Sequence, residues 1–231
     1  MASLLMTPSQ NIFIIDRAVN TNNPGSLMKR ASTEEKKRQR RAEILAHARA
    51  WIAARSFEEI RLADLARELG LVKGTLYLYF PTKHDLFASI LVEEMEAWWA
   101  SLPPKAPRGS PGKLLAPTLA RRGLLVRLLS SLHMSIEPGL TAEGLRALKG
   151  WFRDFAGRAA ADLAARYPAL RGRAFTFLLG VYALAIGVSQ LAFPPENVRA
   201  LVFTDDNLTA FRVDFGAFLA RSVDALYKGT V

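Results

Sequence analysis

Cysteine is absent from the 231 residues of this chain. Disulfide bonds and thiolate chemistry are therefore excluded, which fits a reducing compartment, and we expect the cytoplasm. Histidine is scarce: His47, His84 and His133 are scattered and lie outside any metal-ligand motif. His133 and Glu137 are four residues apart, which leaves open a metal pair or an ordinary hydrogen-bonded pocket group. The motifs of nucleophile elbows, P-loops and zinc proteases are missing too, so we expect no catalytic residue, cofactor or metal.

Acidic residues are in the minority. The chain has 21 Asp and Glu against 31 Lys and Arg, a formal net charge of +10. An excess of this size favours an anionic partner such as nucleic acid, a membrane surface or an acidic ligand. Much of it is concentrated in residues 29–41, which carry seven bases and two acids. This basic run is typical either of a nucleic-acid contact or of a solvated tail.

Long apolar runs are rare, and the longest uncharged stretch is residues 174–195. Its length permits a membrane span, but it contains polar residues and ends in two prolines, so we predict a buried helix and no membrane association. The N-terminus lacks the basic segment of a signal peptide, and its apolar patches are too short for one. Residues 1–28 show no helical period and are predicted to be a disordered leader, with Met28 as an alternative start.

What the sequence does contain is helical periodicity throughout, without a sustained strand pattern. A capping box at Ser32 and Glu35 predicts a helix that begins at Thr33 and continues to about residue 54. Two short helices follow on either side of Gly70, and a capping box at Thr82 and Asp85 begins a long helix over residues 83–102. After a loop rich in proline and glycine over residues 103–112, the predicted helices are 113–122, 124–134, 141–167, 171–193 and 206–227.

Two short helices joined by a tight glycine turn are typical of a helix-turn-helix, whose second helix enters the major groove of DNA. That second helix is predicted over residues 73–79. Lys73 and Thr75 can donate to phosphates or bases, Gly74 permits close approach, and Tyr77 and Tyr79 can reach phosphates. The alternative is a plain helical hairpin with the tyrosines in its core.

Residues 64–83 read DLARELGLVKGTLYLYFPTK, and HDLF follows. This string resembles the N-terminal domain of the TetR family of regulators. The resemblance implies an all-α, Ω-shaped homodimer in which the third helix reads DNA and Lys83 holds a phosphate. Arg61 stands where the family often has Ser or Thr, so the second helix is expected to lack a side-chain N-cap, and Arg61 is a candidate phosphate contact. Leu78 stands where many members carry a polar residue, so the base preference is not carried over.

The predicted architecture is therefore all-α, with a three-helix DNA-binding module followed by a helical ligand-binding and dimerisation domain. The predicted domains are a leader at residues 1–28, a helix-turn-helix domain at 29–91 and an effector-binding and dimerisation domain at 92–231. Candidate ligand-binding residues are His133, Trp151, Phe152, Phe155, Tyr182 and Gln190, although aromatic residues at helical spacing also form plain cores.

The small residues Gly180, Ala183 and Gly187 allow close helix packing, at a dimer seam or inside the subunit. The predicted partners are duplex DNA, a small-molecule effector and a second copy of the chain. The predicted function is that of a repressor released from a palindromic operator by a small, largely apolar effector. The alternatives are a helical enzyme and a membrane-surface protein that uses the basic run.

Overall fold

The computed structural model describes residues 24–55 and 57–231, with side chains from residue 35 onward. Within these residues the secondary structure is helical, without a strand, and the predicted all-α fold is confirmed. The chain divides into two compact units. The first comprises the described part of Met1–Glu93 together with Met134–Leu148, and the second comprises Glu94–His133 and Lys149–Val231.

The first unit contains α1 (Pro24–Ala53), α2 (Leu62–Glu68), α3 (Lys73–Tyr79) and the first part of α4 (Lys83–Ala100). Gly70 ends α2 with a φ of +62°, a left-handed conformation that glycine adopts without strain. The next helix follows after only two more residues, so α2 and α3 form the predicted helix-turn-helix. Their apolar faces share one core, which includes Ile44, Leu45, Ile52, Leu65, Leu76, Phe80 and Ile90.

The start of α1 differs from the prediction. The helix begins at Pro24, nine residues before Thr33, and proline is well suited to the first turn of a helix because it has no backbone N–H to leave unpaired. The capping box predicted at Ser32 therefore lies inside a continuous helix and marks no helix start. The last five residues of the predicted leader, 24–28, are helical, and residues 1–23 lie outside the described part of the chain.

The capping box at the start of α4 is confirmed. The Thr82 backbone N–H donates to the Asp85 carboxylate at 2.9 Å, and the Asp85 backbone N–H donates to the Thr82 hydroxyl at 3.2 Å. These two bonds satisfy amides that have no acceptor within the helix. They fix the point at which α4 begins directly after α3.

The second unit contains the end of α4, α5 (Pro111–Ala120), α6 (Gly123–Ser131), most of α7 (Ala142–Arg166), α8 (Ala174–Ala192), α9 (Glu196–Thr204) and α10 (Phe215–Thr230). Helix α10 packs against α5 and α8, and α6 packs against α8. Four of the five predicted helices match these elements to within a few residues. Between α6 and α7 the chain makes a π-helical turn (Leu132–Ile136) and a 3-10 turn (Glu137–Gly139).

The prediction of one helix over residues 206–227 is wrong. Residues Asp206–Phe211 form a 3-10 turn, and α10 begins later, where the Asp214 carboxylate accepts a hydrogen bond of 2.6 Å from the Ala217 amide. Helix α9 was not predicted. The predicted domain boundary follows residue 91, whereas the two compact units divide between Glu93 and Glu94. Residues Met134–Leu148 also belong to the first unit.

Helix α8 was predicted to be buried, but its surface is largely exposed in the single chain. It is the one helix of the described residues that is long and apolar enough to cross a membrane, with a mean hydropathy of 1.8, and a third of that window is buried. Length and composition alone are weak evidence for a membrane span, because core helices pass the same test. The exposed apolar side chains of α8 therefore require a different explanation.

Candidate DNA interface and effector site

Helix α3 presents one face to solvent. Leu76 is fully buried, whereas Leu78 on the opposite face is 84% exposed. Lys73, Gly74 and Tyr77 are exposed as well, and Thr75 and Tyr79 are half-buried. The structure thus places the predicted DNA-binding residues of α3 on or beside one accessible surface. Tyr77 is not a core residue, contrary to the alternative of a plain helical hairpin with the tyrosines in its core.

Gly74 has no packing reason to be glycine. A Cβ at this position would meet no atom within 4 Å, and its φ is not in the left-handed region. Glycine inside a helix costs roughly 0.5–1 kcal/mol relative to alanine. The space beside Gly74 is available to a phosphate backbone, and Lys73, whose ammonium lies 5.7 Å from the centre of the Tyr77 ring, stands next to it.

Lys83 makes contacts within the first unit. Its ammonium donates to the Phe57 carbonyl at 3.0 Å and lies 4.3 Å from the centre of the Phe57 ring. An ammonium carries three donors, so this bond alone leaves room for a phosphate. Arg61 is exposed and is the N-cap residue of α2, without a side-chain cap among the described residues, as expected.

Arg41, counted with the basic run, is buried. Its guanidinium donates to the Ser89 hydroxyl at 2.6 Å and lies 5.0 Å from the centre of the Phe80 ring, and burial lowers its pKa. Ser89 in turn donates to the Asp85 carbonyl at 2.7 Å. This base joins α1 to α4 and is not available to DNA, whereas residues 35–40 are exposed. Sequence reasoning missed the role of Arg41 because a basic run reads as uniformly solvated.

His84 lies in a tight packing site of the first unit. A Cβ on Gly139 would be 2.2 Å from the His84 ring, whose centre is 5.5 Å from that of Phe57. The buried Nδ1 of His84 finds no hydrogen-bond partner among the described residues. Burial and the charge of Lys83 lower the pKa of His84. No local pattern in the sequence connects residues 84 and 139.

The aromatic candidates of α7 form one cluster in the second unit. Trp151 stacks on Phe155 with ring centres 5.0 Å apart, Phe152 contacts Trp151 at 5.1 Å, and Trp99 meets Phe155 edge-on at 5.8 Å. The Trp151 indole donates to the Glu96 carboxylate at 3.2 Å. Glu96 also accepts a bond of 2.5 Å from Arg158. This pair of charges beside the aromatic rings was not predicted, because it joins residues 62 positions apart in the sequence.

The polar candidates His133 and Tyr182 form a second group, between the π-helical turn that follows α6 and helix α8. The Tyr182 hydroxyl and His133 Nε2 are 2.8 Å apart, and the hydroxyls of Ser130 on α6 and Ser189 on α8 are 2.6 Å apart. Gln190 is exposed. Among the described residues, the structure therefore separates the six predicted ligand-binding residues into an aromatic cluster, a polar pair and one surface amide.

A helix-turn-helix whose second helix presents an accessible face is typical of DNA-binding transcription regulators. Two family descriptions match the chain in succession: residues 44–90 match the bacterial regulatory proteins of the tetR family, and residues 88–231 match the tetracyclin repressor-like C-terminal domain. The second match alone covers more than half of the chain. The chain belongs to the TetR family of transcriptional regulators and is not an enzyme.

Among solved structures, the chain is similar to the ketosteroid transcriptional regulator KstR2 of Mycobacterium tuberculosis. The identity is 19%, the match covers 82% of this chain and 94% of that chain, and the TM-score is 0.24. No curated protein matches the chain.

Proposed function

We propose that the chain is a homodimeric repressor that binds a near-palindromic operator and is released by a small, largely apolar effector bound in its second unit. The observation that carries this proposal is the helix-turn-helix with an outward-facing α3. Two copies related by a two-fold axis would present their α3 helices to successive major grooves, about 34 Å apart. Since its ligand is DNA, we expect the protein in the cytoplasm.

Lys73 is the residue of choice for testing the DNA interface, because it is exposed and lies at the start of α3. Removing a phosphate contact should weaken operator binding and lower the slope of log K against log salt by about one unit. The matched control is Lys113, an exposed lysine near the start of α5 in the second unit. Lys83→Ala is less suitable, because Lys83 also bonds to the Phe57 carbonyl within the fold.

The experiment begins with selection of bound sequences from random duplex DNA, followed by fluorescence anisotropy with the selected duplex over a range of salt. Lys73→Ala should show weaker binding and a flatter salt dependence, and Lys113→Ala should match the unsubstituted protein. Tyr77→Ala should also weaken binding. Equal affinity for selected and random duplexes at physiological salt would refute sequence-specific recognition.

The homodimer is supported by exposed apolar side chains on two long helices of the second unit. Phe175 and Leu179 on α8 and Phe218 on α10 are exposed in the single chain. Of the small residues on α8, Gly180 packs inside the subunit, since a Cβ there would lie 2.6 Å from Leu226. A Cβ on Gly187 meets no atom within 4 Å, so this position is free to face a second copy.

Gly187→Glu places a charge in the proposed seam without a clash in its own subunit. Burying an unpaired carboxylate between apolar helices is strongly unfavourable, so the dissociation constant of the dimer should rise at least tenfold. Gly157→Glu on α7 is the matched control, because a Cβ there also meets no atom within 4 Å. Light scattering that shows only monomer for the unsubstituted protein at micromolar concentration would contradict the dimer.

The effector proposal is supported by the mixture of aromatic surface and sparse polar groups in the second unit. Small-molecule sites commonly combine a mostly apolar lining with a few polar groups that fix orientation. Trp151 and its neighbours supply the apolar lining, and the Tyr182–His133 pair supplies the polar groups. A tenfold shift in operator occupancy requires only about 1.4 kcal/mol of differential effector binding.

A compound screen that reads both thermal stabilisation and operator release tests this proposal. Tyr182→Phe removes only the hydroxyl of the polar pair, whereas Trp151→Phe replaces the indole by a smaller ring and removes its N–H. For any active compound, at least one of these two variants should bind that compound more weakly. Tyr77→Phe on α3 is the control and should leave effector affinity unchanged. If a broad screen finds no compound that weakens operator binding, the proposed release by a small, largely apolar effector is contradicted.

A further inference from the structure

Residues 196–212, here called the arm, connect α8 to α10 and consist of α9 and the 3-10 turn Asp206–Phe211. The two elements pack against each other. Within α9, all of which is described, only Val202 is buried. Leu201, Phe203 and Phe211 are 57%, 60% and 64% exposed. Together with Val198, which is 42% exposed, the arm thus presents four large apolar side chains to solvent.

The backbone of the arm is held in place by hydrogen bonds within the arm. The Arg212 guanidinium donates to the Val202 carbonyl at 2.9 Å and to the Asp205 carbonyl at 3.1 Å. The Asp205 carboxylate accepts from the Asn207 amide at 2.9 Å. Little backbone entropy is therefore lost when a partner covers the arm, since rigid surfaces bind at lower cost than flexible ones.

The charges of the arm do not favour a charged partner. Its two bases each pair with an acid of the arm: Arg199 bonds to Glu196 at 2.5 Å, and Arg212 lies 3.4 Å from Asp206. With Asp205 as the third acid, the arm has a formal charge of −1. This balance disfavours DNA, and it leaves the apolar side chains as the main feature by which the arm is recognised.

We propose that the arm packs against a second copy of this chain and extends the dimer interface beyond α8 and α10. This inference rests on the proposed homodimer. The exposed apolar surface is continuous along the chain, because Leu191 and Phe193 at the end of α8 are also exposed and lead directly into the arm. Nine of the fourteen large apolar residues that are exposed in the described chain lie between residues 175 and 218.

The exposed apolar area of the arm is large enough to contribute to a dimer interface. A buried aromatic side chain covers about 150–250 Å². Phe203, Phe211 and the smaller Leu201, which are 57–64% exposed, therefore offer about 300 Å² per copy. Two arms would contribute about 600 Å², against about 1,600 Å² for a stable interface of standard size. The arm is therefore too small to hold a dimer alone and large enough to matter when added to α8 and α10.

Analytical ultracentrifugation of the double variant Leu201→Ser and Phe203→Ser tests the inference. Both side chains are exposed in the single chain, so helicity by circular dichroism should not change, while the dimer dissociation constant should rise at least tenfold. Leu78→Ser, which removes a leucine from α3 that is 84% exposed, is the control and should leave dimerisation unchanged. A dimeric protein whose dissociation constant is unaltered by the double variant overturns the inference and leaves the proposed homodimer standing. A monomeric unsubstituted protein overturns both.

The absence of cysteine from the chain permits a second, direct measurement. In the single-cysteine variant Phe203→Cys, a thiol-specific photo-cross-linker should yield covalent dimers, and Arg171→Cys, at an exposed residue outside the arm, should yield far fewer. Peptide mapping identifies the residues joined. A cross-link from position 203 to residues 1–23 of the same chain would assign the arm a different cover and overturn the inference.

Discussion

Gly112 offers a sharp test of the packing between α5 and α10. A Cβ on residue 112 would lie 2.1 Å from the Ala220 carbonyl oxygen and 2.8 Å from the Asp224 carboxylate. Favourable contacts require about 3.5 Å, and the carbonyl belongs to the backbone of α10, so it cannot rotate away. Gly112→Ala must therefore separate the two helices by more than about 1 Å.

The same separation strains two hydrogen bonds to Asp224. Its carboxylate accepts from the Gly112 amide at 2.7 Å and from the Ser110 hydroxyl at 2.6 Å. Overpacking costs about 1–3 kcal/mol, and a hydrogen bond to a charged group contributes about 1.5–3 kcal/mol. Because alanine has a higher helix propensity than glycine, the substitution also adds up to about 1 kcal/mol to the free energy of unfolding. The free energy of unfolding should therefore fall by about 2–4 kcal/mol.

Gly150→Ala on α7 is the matched control, because a Cβ there meets no atom within 4 Å. This variant should gain up to about 1 kcal/mol, as alanine is the better helix former. Urea denaturation followed by circular dichroism measures both changes. If Gly112→Ala proved as stable as Gly150→Ala, the close approach of α5 and α10 would be refuted.

Three further predictions concern single side chains. Because the pKa of His84 is lowered by burial and by Lys83, its neutral form stabilises the folded state. This stability is present above the ordinary pKa of 6.5 and is lost as the pH falls through the lower, folded value. Urea denaturation between pH 5 and 8 should show this loss, and His84→Phe should remove it; an identical pH dependence in both proteins would contradict the reasoning. Thr82→Ala removes one half of the capping box and should cost about 1 kcal/mol, whereas Thr204→Ala, which loses only bonds to carbonyls of its own helix, should cost less in the same assay. Tyr182→Phe removes the bond to His133 and should lower the free energy of unfolding by less than about 1.5 kcal/mol. A larger loss would indicate that Tyr182 has a structural role beyond this pair.

The helix-turn-helix was predictable because its signals are local. Gly70 supplies a left-handed turn, Pro81 ends the preceding helical pattern, and Thr82 with Asp85 fixes the next start. Each of these acts within four residues, so an isolated sequence carries the information. The outward position of Leu78 follows from the period of α3 once Leu76 is assigned to the core.

The arm was not predictable in the same way. Leu201, Val202 and Phe203 read as a continuation of a core pattern, and nothing in their spacing shows that only Val202 is buried. The break before α10 depends on Asp214 as a cap and on hydrogen bonds from Arg212 to carbonyls seven and ten residues earlier. The contact of Gly139 with His84 joins residues 55 positions apart, and such packing leaves no periodic trace in the sequence.

The division of the chain bears on how the proposed effector would act. Helix α4 passes without a break from the first unit, where it carries His84, into the second, where it carries Glu96. Glu96 bonds to Trp151 and Arg158 beside the aromatic cluster. A ligand that displaces either bond changes the contacts of a helix whose other end lies next to α3 in sequence. Tenfold control needs about 1.4 kcal/mol of differential binding. A charge-assisted hydrogen bond of about 1.5–3 kcal/mol that is made in only one of the two states would be enough to shift operator binding.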